Sequence, residues 1–150
     1  MTNPPIRATI DALIDALLPA SADGRLPAAS QLGIADWLAQ RAGEQPELGA
    51  QLALCSTELT ELARARNAAF AELPAAQRDE LVQALANAKP VAFAAVQRAT
   101  YMGYYSHPTI PPLFGLPDRP PQPLGHKQPP DDLETLLAPV RARGRHYRDA

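Results

Sequence analysis

The side chains of this chain that could do chemistry are three histidines, one cysteine and a few spaced carboxylates. A histidine with a carboxylate or a second ligand one helical turn away is the pattern by which a sequence announces metal binding or proton transfer. His107 and His126 lie in a proline-rich stretch and His146 in a basic tail, none paired with a carboxylate on a firmly patterned helix. A metal site built from His107 and His126 has no further ligands to complete it. Asp11 and Asp15 are four apart on an amphipathic stretch, which reads as a wet helix face rather than an acid–base pair. Glu58, Glu61 and Arg64 read as a surface pattern with i, i+3 support. Cys55 sits on a stripe with Leu48, Leu52, Leu59 and Leu62, so it reads as a small buried hydrophobe. Its helical neighbour Glu58 would oppose a thiolate. A single cysteine also excludes an internal disulfide, a Cys-based zinc cluster and a C-x-x-C-H haem attachment. There is no G-x-G-x-x-G, no P-loop and no strand to precede one, so no cofactor site is expected in this chain.

The concentrated signal is aromatic. Tyr101-Met102-Gly103-Tyr104-Tyr105-Ser106-His107-Pro108 holds three of the four tyrosines, at a helix end that leads into prolines. Tyrosine and methionine are enriched where proteins meet, because a rigid ring brings area and a hydroxyl finds a partner. The other reading is that these rings cover the end of their own bundle. Tyr101, Met102, Tyr104, Tyr105, His107 and Pro108, with Ile110, Leu113, Phe114 and Leu116 beyond them, are the candidate partner contacts.

Helices must position these residues. Alanine and leucine dominate the apolar residues, and β-branched and aromatic residues are sparse, so the predicted fold is all-α. Five to six helices form a small bundle over residues 1–105. The first carries Ile6, Ile10, Leu13, Ile14, Leu17 and Leu18 and stops at Pro19. A short helical pair or one broken helix follows over Leu26 to Gly43, with Gly33 at the break and Trp37 as an anchor. Pro46 opens the longest helix, predicted to run to about Leu73. Ala75–Ala88 carries Leu81, Val82 and Leu85. Pro90 opens the helix that ends in the tyrosines, with Ala92, Ala95, Ala99 and Gly103 on one side and Phe93, Val96, Thr100 and Tyr104 on the next strip. Over 106–130 the pattern changes. More than half of the 17 prolines fall there, which predicts an extended arm that no helix runs through. Its large apolar residues suit a surface, either its own bundle's or a partner's. Asp131 or Asp132 caps a last helix within 131–150, with Leu133, Leu136, Leu137 and Val140 as its face and Arg141, Arg143, Arg145 and Arg148 as a basic end.

The net charge is −2 with both signs mixed, which argues against a nucleic-acid surface. No apolar run approaches the ~20 residues of a membrane span. The opening Met1-Thr-Asn-Pro-Pro has no basic or twin-arginine region, so a cytoplasmic location is expected, or a periplasmic one if the chain leaves with a partner.

Ile10-Asp-Ala-Leu-Ile-Asp-Ala-Leu-Leu-Pro, Phe70-Ala-Glu-Leu-Pro and above all Arg98-Ala-Thr-Tyr-Met-Gly-Tyr-Tyr-Ser-His-Pro resemble the gluconate 2-dehydrogenase small (gamma) subunit family. The likeness covers about residues 6–125 and rests on T-x-x-G-Y-Y-x-x-P at Thr100 to Pro108. The resemblance implies a non-catalytic partner of a large flavoprotein of the glucose–methanol–choline type. That partner would hold FAD and oxidise a sugar or alcohol, and in several such complexes a cytochrome accepts the electrons. The chain departs from the family twice. It lacks the twin-arginine start of many members, and Pro111-Pro112-Leu113-Phe114-Gly115-Leu116-Pro117 stands where the family tends to be glycine-rich. Two other functions compete with a permanent accessory subunit. One is a folding or export escort, which would leave the mature enzyme. The other is a free-standing ligand-binding module, which would need a pocket with converging polar groups.

Overall fold

The computed structural model describes residues 4–116 and 132–144. They fall in two compact units, Met1–Asp118 and Arg119–Ala150. Among the described residues the structure is all-helical with no strand, as composition predicts.

In the first unit α1 spans Pro4–Leu17, α2 Ile34–Glu44, α3 Pro46–Arg64, α4 Ala75–Ala88 and α5 Pro90–Tyr105. Prolines occupy the first turns of α3 and α5, where the missing N–H is not needed and the fixed φ favours the helix. Between α1 and α2 lies a 3₁₀ turn, Ala29–Leu32. Gly33 ends that turn and starts α2 at φ 68°, a left-handed conformation that glycine adopts without a Cβ clash. The predicted break at Gly33 is therefore real and has a backbone cause.

The centre of the unit is α3, packed against α1, α2, α4 and α5. Leu52, Cys55, Ser56, Leu59 and Ala63 are its buried stripe. Around it Leu13 and Ile14 of α1, Leu38 of α2, Leu81 and Leu85 of α4 and Val96 of α5 close the core. Phe70 is also buried, on a second 3₁₀ turn, Phe70–Glu72. Lys89, at the α4–α5 junction, pairs with Glu58 of α3 at 3.6 Å. Arg7 pairs with Asp11 on its own helix at 3.0 Å and with Asp36 of α2. The Arg7 guanidinium holds the Asp36 carboxyl below its ordinary range.

Three sequence expectations change. The long helix stops at Arg64, not Leu73. Asn67 takes φ 55°. Its N–H reaches Arg64 O and Ala68 N–H reaches Ala63 O, which is the Schellman pattern that ends a helix. The Asp11–Asp15 pair is not a wet face. Asp15 accepts from Ser30 N–H at 2.8 Å and from its hydroxyl at 2.7 Å, so it fixes the 3₁₀ turn. The stretch after Tyr105 is not wholly extended. Ile110–Leu113 forms a single helical turn, α6, with Pro111 and Pro112 in its first positions. Ile110 is only 1% exposed and Leu113 packs on the core. The boundary drawn at 105 thus falls inside the first unit.

The second unit contains α7, Leu133–Arg143. Of the two cap candidates, Asp131 and Asp132, it is Asp132 that caps it, accepting from Thr135 N–H. Leu133, Leu136, Leu137 and Val140 are all exposed. The proline-rich segment 117–131, with His126, and the tail 145–150, with Arg145, His146 and Arg148, lie outside the described residues.

Candidate partner interface

The residues at the end of α5 are sorted by helix geometry. Ala92, Val96, Thr100, Gly103 and Tyr104 point into the bundle. Val96, Thr100 and Tyr104 recur every fourth residue, so they share one face. Thr100 is buried and satisfies its hydroxyl on Val96 O at 2.9 Å. Tyr104 is 2% exposed and its hydroxyl donates to Pro27 O at 2.8 Å. Burial, with Tyr105 beside it, pushes this phenol above its ordinary pKa, so it donates as a neutral hydroxyl. Gly103 lets Trp37 lie against the helix. A Cβ built there would stand 2.8 Å from Trp37 Cε3. Arg41 covers the same indole, 5.4 Å from its centroid.

Tyr105 lies one step further round the helix and is 50% exposed. It is the hub of a ring cluster. Tyr101 meets it edge-on at 6.3 Å, Tyr104 edge-on at 5.2 Å and Phe114 at 6.4 Å. Edge-to-face contacts of this kind favour one arrangement over others and limit ring motion. Phe114 is placed by α6, whose start is pinned by buried Ile110 and whose end is held by Arg25 donating to Leu113 O at 3.2 Å. Ser106 donates its hydroxyl to Met102 O and closes the helix end beneath the cluster.

The ten candidate contacts therefore divide. Tyr101, Met102, Tyr105, Pro108, Phe114 and Leu116 are exposed. Tyr104 and Ile110 are core residues and offer no surface in this fold, because the bundle needs their bulk. Leu113 is partly buried. His107 is half-buried, and its Nδ1 accepts from Thr109 N–H at 3.3 Å, which sets a turn.

Cys55 is fully buried, and burial pushes its thiol up to about 11, which suits a packing role. Among the described residues no group of three His, Cys, Asp or Glu is placed to hold a metal ion. No helix of the described residues is long and apolar enough to cross a membrane.

Sequence reading missed a second surface. A groove of about 830 Å³ runs beside the ring cluster, between the start of α3 and the outer side of α5. Val91, Ala95, Arg98 and Met102 form its α5 wall. Their spacing of four, three and four puts them on one stripe, and that spacing was the signal available in the sequence.

No curated protein and no solved structure matches the chain. A family model does match, over residues 5–111, which takes in all of α2 to α5 and the tyrosine motif. That family is described as gluconate 2-dehydrogenase subunit 3, and the chain belongs to it.

Proposed function

We propose that this chain is a non-catalytic accessory subunit that binds and stabilises an FAD-dependent oxidoreductase of the glucose–methanol–choline type, the partner oxidising a sugar or alcohol. Membership of a family of dehydrogenase subunits supports a partner. The observation that carries the reading is the exposed ring face of Tyr101, Tyr105 and Phe114, with Met102 and Leu116 beside it. These are large apolar side chains held in fixed positions by buried anchors, yet left uncovered. Ordering them on binding costs less than ordering a mobile loop, because Tyr104, Ile110 and the helix end have already fixed their backbone.

The mechanism is mass action. A subunit that binds only the folded flavoprotein stabilises it by RT ln(1 + [L]/Kd), about 2.7 kcal/mol when free subunit stands at a hundred times Kd. FAD stays in the partner on this reading.

The test is co-expression with an FAD-dependent oxidoreductase of this type from the same organism. A one-to-one complex should purify, and the flavoprotein alone should melt at a lower temperature. A flavoprotein equally stable and active alone, and never retained with this chain, removes the reading. Retention in the mature enzyme separates a permanent subunit from a departing escort. Within the complex, Tyr105→Ala should weaken binding about thirtyfold, the scale of an interfacial aromatic anchor. Its own folding should change little, since the residue is already half exposed. Wild-type affinity in Tyr105→Ala would remove the ring face from the interface.

A further inference from the structure

We propose that the groove between α3 and α5 seats an amphipathic helix of the catalytic subunit, with a carboxylate on that helix facing Arg98; this rests on the accessory-subunit reading. The α5 wall presents Val91, Ala95, Ala99 and Met102, and Leu48 of α3 faces them. Val91 is 77% exposed and Met102 is also exposed, so the rim is open apolar surface rather than the enclosed lining of a small-molecule pocket. Ala95 and Ala99 keep the floor low, which lets a helix approach closely.

Arg98 specifies the occupant. It is exposed on this wall, and its guanidinium makes no ion pair or hydrogen bond among the described residues. It does not lie in the last turn of α5, so the helix dipole does not account for it. A cation set between apolar side chains of a groove is complemented by an anion on whatever fills that groove. Glu47 lies on the opposite wall, also without an ion-pair partner among the described residues, though its place in the first turn of α3 suits the dipole. The fitting helix therefore carries large apolar residues at i, i+3, i+4 and i+7, flanked by an acidic residue on the α5 side. From Val91 to Met102 the stripe is about 17 Å long at 1.5 Å per residue, enough for about three turns. Met102 belongs to this stripe and also borders the ring cluster, so the two surfaces are continuous.

The full chain is titrated against that purified flavoprotein. Ala95→Trp fills the groove from a half-buried position and should weaken binding about thirtyfold. Arg98→Glu should weaken it about tenfold at an ionic strength of about 0.05 M, shrinking to about threefold near 1 M as screening shortens the reach of the charge. A photo-reactive phenylalanine at Val91 should cross-link to a helical, acid-bearing segment of the flavoprotein. Wild-type affinity in both variants, with Tyr105→Ala still weak, overturns the groove and leaves the ring face standing. A cross-link that lands on a strand, or on a segment without Asp or Glu, overturns it as well. If no complex forms with any version of the chain, the accessory reading fails and the groove proposal fails with it.

Discussion

Replacing Ile110 by alanine is expected to destabilise the first unit by about 2–5 kcal/mol, the range for emptying a fully buried large aliphatic site. Ile110 is one of the largest fully buried side chains of the chain, although it lies beyond the last long helix of the bundle. Its loss leaves a void at the seam between α5 and α6. It also frees α6, and α6 is what sets Phe114 against Tyr105. One substitution should therefore lower the urea midpoint and weaken partner binding together. Ile110→Val, which removes one methyl, should cost about 0.5–1.5 kcal/mol and keep binding near normal. An unchanged urea midpoint in Ile110→Ala would mean that residues 106–116 do not fold with the bundle.

Gly103→Leu carries the next largest expected effect, about 3 kcal/mol by overpacking. The first added atom would already sit 2.8 Å from Cε3 and 3.1 Å from Cδ2 and Cζ3 of Trp37. These are atoms of a rigid ring, so the whole indole must move, and Arg41 must move with it. For a unit of this size the thermal midpoint should fall by roughly 10 °C. A double-mutant cycle gives the cause. Trp37→Leu makes room, so Gly103→Leu should cost much less in that background, with a coupling of about 1–3 kcal/mol. Strictly additive losses would show that Trp37 is not what glycine accommodates.

Much of this architecture was legible before any coordinates. Pro46 and Pro90 mark helix starts, Gly33 marks a break and the Asp131-Asp132 pair marks a cap, because each acts through its own backbone or the next turn. Spacing also puts Val96, Thr100 and Tyr104 on one strip, but only the fold shows that this strip faces inward. That spacing already separates Tyr104 from Tyr105, whereas composition groups them. What stayed hidden depends on distant partners. Asp15 reads as solvated until the chain brings Ser30 alongside it, fifteen residues later. The end of α3 rests on Asn67, one left-handed residue in a run of good helix formers, where local propensity points the other way. The prolines of α6 argue against a helix by number but not by position, since both stand in its first turn. The groove was hidden for another reason. Its walls come from two helices, and no single stretch of sequence shows both.

Cys55 gives this chain an internal clock. Its sulfur lies at the centre of the bundle with no exposure, and the thiol is pushed up to about 11. An alkylating reagent attacks thiolate, so it must wait until the bundle opens. With a single cysteine present, the rate of labelling counts those openings without an added probe. Each variant described above, alone or docked on a flavoprotein, thus carries its own gauge of how often the core meets water.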